Sequence, residues 1–238
     1  MKVIAIIPAR LESQRLPRKM LRDIGGLPLV VCVYRAVRKS PLLNDVIVAT
    51  DSEEILAACS KHSCNSVMTS SNHRSGTERV HEVSETVAAD VYINVQGDEP
   101  MIRAEHIEAL VKVMQDSSVP VGTLKTPARS EDIGNPNAVK VVNDAHGRAL
   151  YFSRSTVPYD RDASSPEYFK HLGIYAYRKE PLDRFVAMPE SSLERAERLE
   201  QLRFLENGIP IYVAETAYDS VGVDTEKDLM RVQQILGF

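Results

Sequence analysis

Short apolar runs alternate along the chain with amphipathic stretches. Val3-Ile4-Ala5-Ile6-Ile7 has no polar position to turn toward water, which predicts a strand buried on both faces. Asp45–Thr50, Ser66–Thr69, Asp90–Val95 and Pro120–Leu124 read as further strands. Between them, Pro28–Lys39, Ser52–Lys61, Ser75–Val87 and Ala104–Asp116 read as helices. Their starts carry local signals: Pro28 at a first-turn position, Ser52 as a cap followed by Glu53 and Glu54, and an entry through Ser75-Gly76-Thr77. This alternation predicts an α/β fold with a mostly parallel sheet and helices on both faces.

The second half is less regular. Ala138–Asn143, Ala149–Phe152, Phe169–Tyr177 and Ile209–Ala214 read as strands, and Asp160–Glu167 as a polar loop. Ser192–Asn207 reads as one long charged helix ended by Gly208, and Glu226–Leu236 as a closing helix. The charged run Glu194–Arg203 reads as a solvated face. No linker, repeat or low-complexity segment interrupts the chain. Residues 1–238 are therefore expected to form one domain, with an irregular insertion around 125–180 that serves substrate choice or a subunit contact.

Composition narrows the class. Apolar residues make up 43% and charged residues 26%, so the chain can fill a core and is not disordered. A net charge of −4 disfavours non-specific nucleic-acid binding. No apolar stretch is long enough to cross a bilayer and no secretory signal opens the chain, so a cytoplasmic protein without membrane insertion is expected. Cys32, Cys59 and Cys64 form no paired motif and fit reduced thiols.

Against that acidic balance, the loop after the first strand is basic. Pro8-Ala9-Arg10 leads to Ser13, Arg15, Arg18 and Lys19. Ligands of open α/β sheets bind at the carboxyl ends of strands. Arg grips phosphate oxygens in a fork and Lys acts as a compact charge, so the loop suits a triphosphate and a departing pyrophosphate. Asp98 follows the strand Val91–Val95, and Asp224 follows Ser220-Val221-Gly222-Val223. Singly, each reads as an ordinary turn or cap residue. Together, beside the basic loop, they read as carboxylates for a hard cation such as Mg²⁺, which commonly takes one or two carboxylates plus substrate phosphates.

Ser75-Gly76-Thr77-Glu78-Arg79 opens a helix whose free N–H groups can hold phosphate or a base edge, and Arg74 and Arg79 favour an anionic or polar ligand. An ordinary capped helix start explains the same residues, and both readings stand. Arg154, Arg161, His171, Tyr175, Glu200 and Gln201 offer groups for a carboxylate and for sugar hydroxyls. Tyr175 also fits a core position, and Glu200 with Arg203 an exposed helix pair. The sequence carries no His-Glu-x-x-His, Walker loop, Gly-x-Gly-x-x-Gly or Gly-x-Ser-x-Gly, which disfavours a zinc hydrolase, a P-loop ATPase and a dinucleotide oxidoreductase.

Ile7-Pro8-Ala9-Arg10, Ser13, Arg15-Leu16-Pro17 and Lys19 resemble the signature loop of sugar-nucleotide cytidylyltransferases. So do Ser75-Gly76-Thr77-Glu78-Arg79, Asn94-Val95-Gln96-Gly97-Asp98-Glu99-Pro100, Ala149–Arg154, His171–Tyr175, Leu199–Arg203 and Gly222-Val223-Asp224-Thr225. In this order, over nearly the whole chain, they are similar to the 3-deoxy-manno-octulosonate (KDO) cytidylyltransferase family. Arg18 departs from the family, which usually has Gly there.

The resemblance implies a Rossmann-like nucleotidyltransferase fold of the nucleotide-diphospho-sugar transferase type, a homodimer, and a Mg²⁺-dependent reaction of CTP with KDO. It places Pro8, Ala9, Arg10, Ser13, Arg15, Lys19, Arg74, Ser75, Gly76, Arg79, Gln96 and Asp98 on the nucleotide. Gln96, Arg154, Arg161, His171, Tyr175, Glu200 and Gln201 fall on the sugar side, and Asp98 and Asp224 on the metal. Arg10, Lys19, Asp98 and Asp224 are the expected catalytic set. A related enzyme for sialic acid or an amino-KDO, and a silent nucleotide-binding regulator, are the competing readings. Glu78 and Glu99 favour KDO by the same resemblance.

Overall fold

The first apolar run folds as its composition requires: β1 (Val3–Ala9) is buried along almost its whole length. In the computed structural model, which describes residues 1–13 and 15–238, the chain divides into two units, Met1–Glu108 with Ser220–Phe238, and Ala109–Asp219.

In the first unit, β1 is followed by a 3-10 turn (Lys19–Leu21) and a two-strand hairpin, β2 (Asp23–Ile24) and β3 (Leu27–Pro28). Then come α1 (Leu29–Val37), β4 (Asp45–Thr50), α2 (Glu53–Lys61), β5 (Ser66–Met68), α3 (Gly76–Thr86) and β6 (Val91–Asn94). The strand order is β6-β1-β4-β5, all parallel, with Ile6 in register with both Ile47 and Asn94. β1 is thus central, and its carboxyl end lies beside that of β6. α1 holds Val30, Val31, Val33 and Val37 in the core. Four β-branched residues give a weak intrinsic helix, so packing rather than propensity maintains it.

After α4 (Ala104–Val113), the second unit contains β7 (Val121–Pro127), α5 (Ser130–Ile133), β8 (Lys140–Asn143), β9 (Ala149–Ser153), β10 (Phe169–Tyr177), α6 (Lys179–Ala187), α7 (Ser192–Glu197), α8 (Leu202–Glu206) and β11 (Ile211–Glu215). β11 runs parallel to β7, whereas β7–β10, β10–β8 and β8–β9 are antiparallel. This mixed half is why simple strand–helix alternation fades from the sequence here. The closing helix α9 (Glu226–Leu236) belongs to the first unit and starts at Thr225, which forms a capping box with Asp228.

The helix expected over Ser192–Asn207 is instead two short helices. The break falls at Arg198, in the left-handed region at φ 54°. Arg154 explains how the break is tolerated: its Nε donates to the Glu197 carbonyl at 2.6 Å, and its Nη2 reaches the Arg198 carbonyl at 3.4 Å. The run Glu194–Arg203 is not a solvated face either. Arg203 donates to both carboxylate oxygens of Glu194, at 2.7 and 2.6 Å, with both side chains only 10% exposed. Glu194 simultaneously completes a capping box with Ser191, so one buried carboxylate ties both short helices.

Removing one member of such a pair strands the other. Arg203→Met is expected to cost about 3–5 kcal/mol of stability. Replacing both Glu194 and Arg203 with Met should recover part of it. Urea unfolding of the two variants checks this, and a double variant less stable than Arg203→Met would contradict the burial of the charge.

Candidate active site

The parallel register sets the end of β1 against the end of β6, and the cleft forms there. It holds about 1350 Å³ and is lined by Pro8, Arg10, Ser13, Arg15, Lys19, Gly76, Arg79, Gln96, Asp98 and Asp224, among others. Gly97 permits the close approach of the two strand ends. A Cβ at that position would lie 2.7 Å from the Pro8 carbonyl oxygen and 3.0 Å from the Met20 sulfur. Ala9 is fully buried in the core and contributes backbone to this corner rather than a lining side chain.

Lys19 is the electrostatic centre of the cleft. Its Nζ lies 2.6 Å from Asp98 Oδ2 and 3.1 Å from Asp224 Oδ1. Arg15 adds a contact of 2.9 Å to the same oxygen of Asp224. Burial by itself disfavours the charged Lys19, but Asp98 and Asp224 outweigh it and hold the pKa above its ordinary value. Two carboxylate oxygens that converge on one cationic point form a donor set suited to a hard divalent ion. Asp98 and Asp224 come together at Lys19, but only Asp98 follows a strand: Asp224 lies in the irregular stretch before the closing helix, not at the strand end that the sequence reading expects.

The other basic residues divide by partner. Arg18 sits in the left-handed region, at φ 55° and ψ 34°, and its guanidinium is held by Glu54. A side chain in that conformation costs roughly 1–2 kcal/mol, which gives a backbone reason for the family's usual glycine. Arg79 is 1% exposed and engaged by Asp51 at 2.8 Å and by the Thr69 hydroxyl. Arg10 is exposed and, among the described residues, makes one long contact, 3.4 Å to the Arg74 carbonyl. Arg74 itself is exposed and does not line the cleft.

Ser75 is the N-cap of α3, its hydroxyl accepting from the Glu78 amide at 3.2 Å. Gly76 and Gln96 line the cleft. A Cβ on Gly76 would meet Pro8 Cγ at 3.4 Å and Asn94 Nδ2 at 3.6 Å, ordinary contacts.

The second unit holds the residues expected on the sugar side. His171 and Tyr175 are buried, their rings 5.4 Å apart. Thr123 Oγ1 lies 2.9 Å from His171 Nε2, and burial pulls the imidazole pKa down to about 3, so His171 is neutral at physiological pH. Burial, followed by the nearby Tyr177 and Glu200, pushes the Tyr175 phenol well above its ordinary value. Gln201 is 3% exposed, and its Nε2 has no hydrogen-bond partner among the described residues. Such a donor is costly unless something meets it. Arg154 is committed to carbonyls of Glu197, Pro136 and Arg198, and Arg161 is exposed. Tyr175 therefore meets the core reading, and Arg203 is buried and paired with Glu194, not an exposed helix residue.

The sequence reading missed Asp51, Glu54, Met20 and Asn94. Asp51 carried a usable signal, because it directly follows the apolar strand Asp45–Thr50 at the same sheet edge. Glu54 was read only as a first-turn acid, and its pairing with Arg18 spans 36 positions.

A cytidylyltransferase family profile matches residues 4–215. The 3-deoxy-manno-octulosonate cytidylyltransferase of Koribacter versatilis (strain Ellin345) is 66% identical over 99% of this chain and 90% of its own length. That of Acidobacterium capsulatum is 52% identical over 99% of this chain and 97% of its own. A solved CMP:2-keto-3-deoxy-manno-octonic acid synthetase complexed with CTP superposes with a TM-score of 0.96 at 43% identity, over 99% of this chain and 98% of that one.

The partition of cations gives a contrast between adjacent residues. Lys19→Ala should lower turnover by at least ~10²-fold, the size of a lost transition-state electrostatic contact. Arg18→Gly should leave turnover near that of the unaltered protein, with stability changed by under about 1 kcal/mol as backbone relief offsets the lost ion pair. Steady-state kinetics with thermal melting decides it. Equal kinetic losses would mean that Arg18 also faces the reacting phosphates.

Proposed function

Because the chain belongs to the cytidylyltransferase family, we propose that the cleft carries out CMP transfer from CTP to the anomeric hydroxyl of KDO, giving CMP-KDO and pyrophosphate. The product is an activated acidic sugar of the kind used in lipopolysaccharide or capsule synthesis. The observation that carries this reading is the convergence of Lys19, Asp98 and Asp224 in one cleft, on a chain 66% identical to a KDO cytidylyltransferase along almost its entire length.

The KDO hydroxyl attacks the α-phosphorus of CTP in line, the bond from that phosphorus to the bridging oxygen of pyrophosphate breaks, and the hydroxyl proton passes to water. Arg10 has the freedom to meet the triphosphate, and Lys19 has three rotatable donors for the charge that accumulates on the leaving group. Pro8, Gly76 and Gln96 shape the nucleoside end of the cleft, which Ser13 and Arg79 also line, with Arg74 and Ser75 beside it. Asp98 and Asp224 would hold Mg²⁺, which when bound lowers the pKa of a coordinated hydroxyl and offsets phosphate charge. The main protein contribution is placement of charges before reaction, which removes reorganisation from the barrier.

For the sugar, Arg154, Arg161, His171, Tyr175, Glu200 and Gln201 supply cationic and hydrogen-bonding groups. The unpartnered Nε2 of Gln201 is the feature that speaks most for a polar ligand in the second unit. A homodimer fits the exposed Leu150 and Tyr159 of the irregular segment, 62% and 86% accessible. No helix among the described residues is long and apolar enough to cross a membrane, and dependence on CTP suits a cytoplasmic enzyme.

A matrix of four nucleoside triphosphates against KDO, amino-KDO and sialic acid, read by pyrophosphate release with Mg²⁺, tests the function directly. Release should require CTP and KDO together. A preference for sialic acid overturns the substrate, and CTP binding without release supports a regulator instead. Within that assay, Asp98→Asn should lower turnover at least ~10²-fold with folding nearly intact. Normal turnover at limiting Mg²⁺ would remove Asp98 from the metal.

Gln201→Ala should damage use of KDO far more than CTP affinity, because a site built to pair polar groups discriminates through them. Calorimetric CTP titration alongside KDO kinetics separates the two. Lost CTP affinity with unchanged apparent KDO affinity would take Gln201 out of the sugar pocket.

A further inference from the structure

Lys19 lies where the two proposed metal carboxylates meet, and this placement has a consequence for the order of binding. Its ammonium is within hydrogen-bond distance of Asp98 and Asp224 at once, on a side chain only 10% exposed. We propose that in the nucleotide-free protein Lys19 is an internal counter-ion that keeps these carboxylates from divalent metal, and that an arriving polyphosphate releases them by drawing the ammonium away. The proposal rests on the reading of Asp98 and Asp224 as metal carboxylates and adds a regulatory role for Lys19 toward them.

The chemistry follows from competition for the same oxygens. A divalent ion and an ammonium cannot both sit against one pair of carboxylates without strong like-charge repulsion. Metal entry into the free protein therefore requires Lys19 to leave both carboxylates. Of the four other carboxylates that line the cleft, Glu12, Asp51, Glu53 and Glu54, two are already engaged, Asp51 by Arg79 and Glu54 by Arg18. Arg15 supplies further positive charge at Asp224. Phosphate oxygens change this balance. They give the flexible lysine stem a new anion and take the shared Lys19 charge away from the two carboxylates. Nucleotide and metal then favour each other's binding, and the coupling is reciprocal by thermodynamic necessity. Free metal by itself gains little, which keeps the empty site from being filled before nucleotide arrives.

Arg15 provides the control that separates occupancy from charge alone. It contacts one of the two carboxylates, carries the same charge, and is 66% exposed rather than buried between them. Mn²⁺ binding to the nucleotide-free protein, measured by calorimetry and by the metal-induced rise in melting temperature, is the readout. The unaltered protein should bind weakly. Lys19→Met should bind at least about tenfold tighter, the equivalent of one charge-assisted hydrogen bond released. Arg15→Met should gain no more than about threefold. Lys19→Gln, which retains donors without the charge, provides the same comparison if the methionine variant does not fold. Equal gains in the Lys19 and Arg15 variants, or no gain at Lys19, overturn the proposal. A gain that persists when Asp98→Asn is added to Lys19→Met instead overturns the carboxylate assignment itself, so the two failures are distinguishable.

Discussion

Two carboxylates that converge in a partly enclosed cleft repel each other unless positive charge lies between them, and Lys19 supplies that charge here. Its contacts at 2.6 and 3.1 Å join Asp98, at the exit of β6, to Asp224, just before α9. These residues are separated by up to 205 positions in the chain. The link therefore closes the first unit as well as charging its cleft. The cost of burying an ammonium is met by two acids, and the repulsion of two acids by one ammonium. Each side of the arrangement offsets the other's charge, which couples the fold at this corner to the chemistry it presents.

Much of the first unit was legible in the sequence because parallel sheets leave a strong trace. Buried strands read as apolar runs, their helices as amphipathic segments, and the residues after each strand as edge loops. β1, β4 and β6 were found this way, and with them the loop of Arg10 to Lys19 and the carboxylate Asp98. The second unit was harder for a physical reason. Its strands pair in mixed directions, β10 carries an irregularity between Leu172 and Tyr175, and the segment Ser192–Asn207 has helical composition throughout. Nothing local announces that Arg198 turns left-handed. The break is sustained by Arg154, 44 positions away, and by the Glu194–Arg203 pair.

A charged run is consequently a poor guide to exposure. Glu194–Arg203 has the composition of a solvated helix face, yet its first and last residues form a bidentate buried pair. Both ends must find partners because the intervening turn brings them inward. Sequence separation of nine positions is also too long for an ordinary contact within one helix, where neighbours lie three or four apart. The pair makes sense only once the helix is broken.

The same caution applies to cations at a phosphate site. Counting Arg10, Arg15, Arg18, Lys19 and Arg79 suggests a strongly positive pocket. The structure commits most of that charge: Arg79 to Asp51, Arg18 to Glu54, and Arg15 with Lys19 to Asp224 and Asp98. Arg10 is left as the readily available guanidinium, while Lys19 is available only in exchange for another cation at the carboxylates. A nearly neutral resting cleft follows, with positive charge exposed as anionic ligand rearranges the pairs. This reconciles a basic loop with an acidic chain: fixed ion pairs build the walls, and the exchangeable pair at Lys19 supplies the response to a polyphosphate.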